Sequence, residues 1–311
     1  MIGYLIYDEA EAAKNQAFIR MFQEEGQKEE ITFSYVSKEQ YRKEPLPQLV
    51  LNRTRDADVS VWYEERKIPV LHESFLTRIG NHKFFTLQYL KKHLTEQTLK
   101  TAWAPRSFLI PPERIREWAC AVQDRDVTQL QEINDFWKRD GVCVLKTVDG
   151  HGGSEVTELY SPKRAEAFCG DAFWKELSKT LQLFCGRECI LQEKISSDSK
   201  DVRVYILGNR IYQCMLRQGT KDFRSNFSLG GYAEPYRLLP KEQEVVETVL
   251  KAFEGHTLGL AGLDFIIDRE GKLIFNELEE MVGCRMLYQY TGHNVVRDYV
   301  HWLRKKFLCE R

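Results

Sequence analysis

Three carboxylates near the carboxyl end of the chain have the spacing of a metal site. Asp264 lies in an apolar run typical of a buried strand, and Arg269–Gly271 form a tight turn before a second strand that carries Glu277 and Glu279. Because residues two apart on a strand point to the same face, a hairpin gathers the three side chains on one side. Three carboxylates repel one another unless a cation lies among them, and oxygen ligands of this kind suit Mg²⁺. Taken alone, such a pattern is also typical of a polar strand face in solvent.

A glycine-rich turn follows another predicted strand. Lys146 ends the strand Val142–Lys146, and Gly150, Gly152 and Gly153 come after it. Glycines permit a tight loop whose backbone N–H groups approach phosphate oxygens, and the lysine supplies a positive charge. The segment is not a Walker A loop, because no Gly-Lys pair followed by Ser or Thr is present. It predicts a phosphate-binding loop, with a β-turn beside an ordinary lysine as the alternative.

A third segment has the character of a nucleotide contact. The predicted strand that starts at Cys189 runs out through Gln192, Glu193, Lys194 and Ile195, and a polar turn leads from there to Asp201 and Arg203. The end of a strand exposes backbone N–H and C=O groups to which an adenine edge can bind, and a carboxylate just beyond it can accept ribose hydroxyls. A plain connection at the edge of a sheet is the alternative.

Basic and small residues are grouped between residues 217 and 231. Arg217 ends a strand, and Arg224, Ser225 and Asn226 lead into Gly230–Gly231. Guanidinium groups beside backbone amides can hold an acyl phosphate and the oxyanion that develops from it. A solvated basic loop is the alternative.

The predicted strands and helices that position these segments follow different patterns in different parts of the chain. Over residues 1–80, short strands alternate with helices, which predicts a small parallel sheet covered by helices. The predicted strands are Ile2–Tyr7, Ile31–Tyr35, Leu49–Asn52 and Pro69–Leu71, and the predicted helices are Glu9–Glu25 and Asp56–Arg66. No glycine-rich dinucleotide fingerprint follows the first strand, so this region is not predicted to bind NAD.

The next two regions are predicted to hold the chemistry. Residues 81–188 contain a helix over 81–93, a loop with prolines at 105, 111 and 112, and helices Thr128–Arg139 and Pro162–Thr180. From Cys189 onward, strands separated by short turns predict an antiparallel sheet, and helices Lys241–His256 and Asn294–Phe307 accompany it. We therefore predict an α/β fold that becomes α+β in its C-terminal part. Its predicted units are an N-terminal domain over 1–80, a central lid-bearing unit over 81–188 and a C-terminal unit over 189–311.

Composition narrows the class of protein. The 311 residues include 45 basic and 46 acidic side chains and a formal charge of −1, which gives no general attraction to nucleic acid or to an anionic membrane. No apolar run reaches the length of a membrane span, and the start of the chain lacks the pattern of a signal peptide. The eight cysteines include no Cys-x-x-Cys pair, so we expect reduced, structural thiols in a cytoplasmic protein.

Taken together and in this order, these segments resemble the ATP-grasp carboxylate–amine ligases, and most closely the RimK-like branch, whose namesake adds glutamate to a ribosomal protein. The resemblance covers nearly the whole chain. It is most specific in the sequence DFRSNFSLGG from Asp222 and in the strand pair GLDF…FNELEE from Gly262. It implies an ATP-grasp fold with a preceding N-terminal domain, a central lid subdomain and a C-terminal subdomain that carries the metal site.

The resemblance also implies a role for each segment. Nucleotide contacts are expected from Lys83, Lys146, Gly152, Gly153, Gln192, Glu193, Lys194, Ile195, Asp201 and Ser225. Catalytic contacts to phosphate and the reacting carboxylate are expected from Arg203, Arg217, Arg224 and Asn226. Metal contacts are expected from Asp264, Glu277 and Glu279. The cofactors would be ATP and Mg²⁺, with Mn²⁺ as an alternative.

Three positions depart from the family pattern. Where the family has Asn two residues after its metal-binding Glu, this chain has Glu279, which makes that residue the least certain ligand. Where the family has Asp before its lysine, His82 precedes Lys83. The turn after Glu193 is also shorter than usual, so Asp198 is a second candidate for the ribose contact.

The activity implied is ATP-dependent joining of a carboxylate to an amine through an acyl phosphate, with release of ADP and phosphate. The substrates would be amino acids, peptides or small molecules, and neither nucleic acid nor a membrane is expected as a partner. A phosphotransferase with the same nucleotide site, or a non-catalytic nucleotide-binding regulator, are the alternatives. The identity of both substrates and the oligomeric state stay open, although homo-oligomers are common in this family. Arg53, Arg55 and Arg285 are candidates for substrate contacts or for structural ion pairs.

Overall fold

The computed structural model describes residues 1–94, 104–150, 153, 155–164, 170–219 and 231–308. Its first sheet has the strand order β2-β1-β3-β4 with every pair parallel. The strands are β1 (Ile2–Tyr7), β2 (Thr32–Ser37), β3 (Leu49–Asn52) and β4 (Val70–Leu71). The helices of this region are α1 (Glu9–Lys14), α2 (Gln16–Lys28), α3 (Ala57–Glu64), α4 (Ser74–Gly80) and α5 (Lys83–His93).

The parallel sheet follows from the apolar sequence of its strands. All four residues of β3 are buried, as is typical of a strand covered on both faces. The single helix predicted over Glu9–Glu25 was wrong, because Asn15 separates α1 from α2. The Asn15 side chain donates a hydrogen bond to the Glu11 carbonyl at 2.8 Å, and such local bonding competes with a continuous helix. Helix α4 was not predicted from the sequence.

The second sheet is antiparallel and has the order β5-β8-β6-β7. Its strands are β5 (Ser107–Ile110), β6 (Val142–Thr147), β7 (Val156–Tyr160) and β8 (Cys189–Glu193). Helices α6 (Pro112–Gln123), α7 (Gln131–Asp140) and α8 (Asp171–Phe184) accompany it, with a short 3₁₀ turn at Val127–Gln129.

Two sequence predictions for this region were wrong. The proline-containing loop is instead strand β5 followed by helix α6. Pro112 occupies the first turn of the helix, where its missing N–H costs nothing, and β5 lies at the edge of the sheet. Helix α8 starts at Asp171 rather than at Pro162. Strand β8 pairs with β5 and β6 and so belongs to the second sheet, while the predicted domain boundaries stay predictions.

The third sheet is antiparallel, as predicted, with the order β11-β10-β9-β12-β13. Its strands are β9 (Lys200–Leu207), β10 (Arg210–Gln218), β11 (Tyr232–Tyr236), β12 (Leu260–Ile267) and β13 (Leu273–Glu279). The helices are α9 (Pro240–Lys251), α10 (Arg285–Tyr290) and α11 (Val295–Leu308); β11 and α10 were not predicted. Gly208 and Asn209 join β9 to β10 with φ values of 59° and 62°, as the tight turn of a two-residue hairpin requires.

Apolar side chains connect the first and third sheets. One buried cluster contains Leu51 and Leu71 from the first sheet together with Tyr205 and Leu260 from the third, and Tyr299 of α11 also belongs to it. A second cluster packs helices α4 and α5 on the other face of the third sheet. The first sheet is therefore held against the sheet that carries the predicted metal site. Within the described ranges, no helix is both long and apolar enough to cross a membrane.

Candidate active site

The hairpin of β12 and β13 brings the three predicted metal ligands together. Asp264 lies opposite Glu277 in the antiparallel register, and Gly262 lies opposite Glu279. One carboxylate oxygen from each of the three residues lies within 4.8 Å of the others. The Asp264 side chain is 1% exposed, whereas those of Glu277 and Glu279 are 17% and 24% exposed. This all-oxygen donor set, open on one side, fits a hard divalent cation such as Mg²⁺.

Two buried guanidinium groups lie among these carboxylates. Arg203 Nε and Nη2 donate to the two oxygens of Asp264 at 2.8 and 2.6 Å, and Nη2 lies 3.1 Å from Glu279. Arg217 donates through Nη2 to Asp264 at 2.7 Å and through Nε and Nη2 to Asp201 at 2.6 Å. The cations that the structure places between the acidic side chains are therefore arginines, and this pairing was not anticipated from the sequence.

The register of the strands explains why the two arginines pair with aspartates. Arg217 of β10 lies opposite Asp201 of β9, and Arg203 of β9 lies opposite Asp264 of β12. Asp201 and Arg203 are two residues apart and therefore share one face of their strand. The order β10-β9-β12-β13 thus sets opposite charges side by side on one face of the sheet.

The pKa values of two neighbouring carboxyls move in opposite directions. Burial opposes ionisation of Asp264, but the charges and hydrogen bonds of Arg203 and Arg217 outweigh it and lower its pKa to about 2. For Glu279, burial raises the pKa, and the negative charges of Asp264 and Glu277 add to it, with Arg203 offsetting only part. Asp264 is therefore ionised at neutral pH, and additional positive charge near Glu279 would favour its ionised form.

Two lysines lie on the other side of the carboxylates. Lys83, the first residue of α5, contacts the Gly150 carbonyl, and its Nζ lies 3.4 Å from Glu277 Oε2. Lys146 Nζ donates to Asn276 Oδ1 at 3.2 Å. Burial lowers the pKa of Lys146 to about 8; Glu277 opposes this shift and Lys83 adds to it. An anion bound between the two lysines would relieve their mutual repulsion.

The glycine loop begins beside these lysines. A Cβ on Gly150 would lie 2.3 Å from Thr147 Oγ1 and 2.8 Å from Glu155 Oε2, so only glycine fits there. Gly153 has φ of 74°, in the left-handed region that favours glycine. Both residues line the same cleft as Lys83 and Lys146.

The predicted adenine segment lines that cleft as well. The side chains of Gln192, Glu193 and Lys194 all have protein partners. Gln192 Nε2 donates to Ser107 Oγ at 2.8 Å, Glu193 Oε1 lies 2.9 Å from Arg139 Nη2, and Lys194 pairs with Glu158. Apolar side chains complete this part of the cleft: Val144, Val156, Ile195 and Ile266. An apolar slot of this kind suits a flat heterocycle.

The two candidates for the ribose contact differ in position. Asp201 lines the cleft, but it is 5% exposed and both of its oxygens accept from Arg217. Asp198 is exposed at the surface and lies 3.8 Å from Arg269. The cleft therefore contains the first candidate and not the second, and a hydroxyl that binds Asp201 must share it with a guanidinium. Four predicted residues, Gly152, Arg224, Ser225 and Asn226, lie outside the described residues.

Sequence reasoning missed several side chains at this site. Asn276 binds Lys146, although only its place beside the acidic residues of β13 could have indicated it. His82, the departure from the family pattern, has a partner just before strand β8, because its Nε2 lies 2.9 Å from Glu188 Oε2. Glu280 is 3% exposed and accepts a hydrogen bond from Asn81 at 2.7 Å. Pairings of this kind join residues far apart in the sequence, so spacing does not indicate them.

Comparisons with known proteins identify the family of the chain. A family model described as the RimK-like ATP-grasp domain matches residues 120–303. The probable alpha-L-glutamate ligase 1 of Shewanella oneidensis is 34% identical over 172 residues, which cover 54% of this chain and 52% of that protein. The uncharacterized MG012 homolog of Mycoplasma pneumoniae is 24% identical over 248 residues, which cover 79% of this chain and 76% of its own length. This chain thus matches about half the length of the glutamate ligase.

Solved structures show the same fold. The D-cycloserine synthetase DcsG superimposes with a TM-score of 0.67 at 15% identity, covering 99% of this chain and 100% of that one. The D-alanine–D-alanine ligase of Bacillus anthracis, solved with ATP, gives a TM-score of 0.66 at 13% identity and covers 98% of each chain. The predicted fold class is thereby confirmed. Because the family model spans more than half of the sequence, the chain belongs to the RimK-like ATP-grasp family of ligases that form carbon–nitrogen bonds.

Proposed function

We propose that this protein is an ATP-dependent carboxylate–amine ligase that makes an amide bond through an acyl phosphate. One observation carries the proposal: the buried Lys83 and Lys146 line one cleft with Asp264 and Glu277, where Lys83 lies 3.4 Å from Glu277. Glu279 offers an oxygen within 4.8 Å of those of the two carboxylates. Phosphate groups need the lysines, and a divalent cation needs the carboxylates. The apolar slot beside Ile195 completes a site for a nucleoside triphosphate.

The chain's own residues supply charge and orientation. Lys83 and Lys146 neutralise phosphate oxygens, and the backbone N–H groups of the glycine loop bind them. Asp264, Glu277 and Glu279 would hold Mg²⁺, or Mn²⁺ as an alternative, which neutralises the charge that develops on the transferred phosphoryl group. Arg203 and Arg217 keep Asp264 ionised and fixed in position. Arg224, Ser225 and Asn226 are proposed to contact the reacting carboxylate and its oxyanion.

The two chemical steps balance without a protein nucleophile. A substrate carboxylate oxygen attacks the γ-phosphorus of ATP, and the bond from that phosphorus to ADP breaks. The amine then attacks the acyl carbon, a C–N bond forms, and inorganic phosphate leaves with the electron pair of the C–O bond while the amine gives up a proton. Closure of the central unit over the cleft would exclude the water that otherwise hydrolyses an acyl phosphate.

ADP release tests the proposal directly. The purified protein is incubated with Mg·ATP and pairs drawn from the amino acids and acidic peptides, and products are identified by mass spectrometry. We expect ADP release that needs both an acid and an amine, and a product equal to their sum less one water. Phosphorylated product formed without an amine would instead show a phosphotransferase. ATP binding without turnover across the whole panel would indicate a regulator.

Two variants test whether turnover depends on the side chains of the cleft. Lys146→Ala should abolish turnover, because it removes a buried charge from the phosphate site. Lys272→Ala is the matched control, since this exposed lysine pairs with Glu270 at 2.6 Å near the turn of the metal-site hairpin, away from the cleft. Equal loss in both variants would show that the effect is not specific to the cleft.

A further inference from the structure

His82, where the sequence departs from its family, connects helix α5 to the second sheet. Helix α5 packs on the third sheet, since its residues Leu87 and Leu90 belong to a buried cluster formed largely by that sheet. Glu188 instead directly precedes strand β8 of the second sheet, and its Oε2 lies 2.9 Å from His82 Nε2. Side chains from both sheets line the nucleotide cleft, so the contact between His82 and Glu188 joins its two sides.

The His82 ring uses both of its nitrogens. His82 is the N-cap residue of α5, and its Nδ1 accepts a hydrogen bond from the Phe85 N–H at 3.3 Å. A nitrogen that accepts carries no proton, so the neutral ring has its proton on Nε2 and donates it to Glu188. The ring also stacks on Phe85, with the ring centroids 3.6 Å apart. One side chain therefore caps the helix and attaches it to the second sheet.

Lys83 is the residue that this attachment holds in place. Its backbone N–H donates to the Val148 carbonyl at 3.0 Å, and the Val148 N–H donates to the Glu188 carbonyl at 3.2 Å. Together with the side-chain contact of His82, these bonds form a closed ring from α5 to Glu188 and back. The Lys83 ammonium then contacts the Gly150 carbonyl and lies 3.4 Å from Glu277. A displaced start of α5 would therefore move this ammonium out of the phosphate site.

The segment that contains Glu188 also contacts the glycine loop. Arg187 donates through Nη2 to Asp149 Oδ1 at 3.2 Å and through Nη1 to Glu155 Oε1 at 2.9 Å. These two acidic residues stand on either side of the glycines in the sequence. Two adjacent residues before β8 thus hold both the loop that begins at Gly150 and the helix that begins at Lys83.

We propose, on the basis of the proposed function, that His82 and Glu188 are positioning residues that hold Lys83 beside the glycine loop, where it binds a phosphate group of ATP. His82 acts through Lys83 and does not itself contact the nucleotide. The aspartate that the family has at this position also caps a helix, but it has no proton to donate to Glu188. The histidine of this chain therefore adds a connection between the two sides of the cleft.

His82→Asn separates the positioning of Lys83 from the capping of α5. Asparagine is a good N-cap residue, but its shorter side chain does not reach Glu188 while it caps the helix. The dissociation constant of Mg·ATP is measured by isothermal titration calorimetry on the full chain, so the test does not depend on turnover. We expect a cooperatively folded variant that binds Mg·ATP about tenfold more weakly, because a displaced ammonium loses a charge-assisted hydrogen bond.

Variants of Glu188 test the other side of the contact, and its 39% exposed side chain makes them unlikely to disturb folding. Glu188→Ala should weaken Mg·ATP binding as much as His82→Asn does, whereas Glu188→Gln keeps an acceptor and should stay within about threefold of the wild-type protein. His256→Asn is the matched control and should bind like the wild-type protein. His256 Nδ1 lies 2.6 Å from Glu73 and its ring stacks on Phe75, but it does not line the cleft.

Two double variants test the route through Lys83. Glu188→Ala added to His82→Asn should weaken Mg·ATP binding no further, because both changes break one contact, and His82→Asn added to Lys83→Ala should also have no further effect. Wild-type affinity in folded His82→Asn, or additive losses in either double variant, would overturn the positioning role. Failure of the proposed ligase function has a different signature, because Mg·ATP binding would still depend on Lys83 and His82 while no acid and amine pair released ADP.

Discussion

Replacing Asp264 by Asn should destabilise the protein much more than replacing its neighbour Glu277 by Gln. The Asp264 carboxylate accepts three short hydrogen bonds from two guanidinium groups, and its side chain is 1% exposed. A neutral amide leaves Arg203 and Arg217 buried with less compensating charge. Glu277 has a weaker partner, because its oxygen lies 3.4 Å from Lys83 Nζ and its side chain is 17% exposed.

The expected loss of unfolding free energy in Asp264→Asn depends on the partners that Arg203 and Arg217 still have in the variant. Breaking a buried ion pair costs about 3–5 kcal/mol. Arg217 retains both bonds to Asp201, and Arg203 retains a contact with Glu279 at 3.1 Å. We therefore expect Asp264→Asn to lose about 3 kcal/mol, at the lower end of that range. Glu277→Gln should lose about 1 kcal/mol or less, because its pair is longer and closer to solvent.

Urea unfolding, followed by tryptophan fluorescence at pH 7 without metal, measures the unfolding free energy that each variant loses relative to the wild-type protein. Repeating it with Mg·ADP should show stabilisation of the wild-type protein and its loss in both variants, since each removes a proposed metal ligand. Equal unfolding free energies for the two variants would refute the reasoning, because the arginine pairs would then contribute nothing beyond an exposed contact. The same holds if Asp264→Asn matches the wild-type protein.

Three further outcomes are expected. Mg·ATP at 100 times its dissociation constant should stabilise the wild-type protein by about 2.7 kcal/mol, and Lys146→Ala should lose most of this gain in a thermal-shift assay; an unchanged gain would reject the phosphate contact. Glu279→Asn should retain activity with a shifted Mg²⁺ or Mn²⁺ optimum, because an amide supplies no charge; superimposable metal titrations with a raised KM for the amine would remove Glu279 from the metal site. Burial, and the positive charge of Arg53, lower the pKa of His72 to about 3, so only the unfolded chain takes up this proton as the pH falls below the usual histidine value. Stability should therefore be full above about pH 6.5 and lower by about 2 kcal/mol at pH 5. His72→Gln should reduce this loss in urea unfolding at the two pH values, and an unchanged loss would assign it to other groups.

The hairpin that carries the acidic residues was predictable because its signals are local. The turn residue Gly271 has φ of 77°, and Glu277 and Glu279 share a face because they are two residues apart on β13. The same reasoning failed between Pro105 and Pro112, where proline was taken as a loop signal. Proline at the first turn of a helix, or at the edge of a sheet, breaks no hydrogen bond, so composition alone does not distinguish these cases.

The arginine pairs were beyond prediction because they depend on sheet order. Arg217 and Asp201 are 16 positions apart, and Arg203 and Asp264 are 61 apart. Their contacts exist only because β9 lies between β10 and β12. Local spacing placed each side chain on a strand face, but nothing local stated which strand would be its neighbour. For the same reason, Glu188 could not be foreseen as the partner of His82.

The basic side chains of the site affect whether its carboxylates indicate a metal ion. Four acidic side chains, Asp201, Asp264, Glu277 and Glu279, meet four basic ones, Lys83, Lys146, Arg203 and Arg217. Because the arginines already neutralise Asp264, mutual repulsion of carboxylates is not by itself a reason for a metal ion. The stronger reason for a metal ion is the environment of Glu279. Burial and the acidic neighbours of Glu279 raise its pKa, and Arg203 offsets only part of this shift. A divalent cation beside Glu277 and Glu279 would add to the charge of Arg203 and favour the ionised form of Glu279.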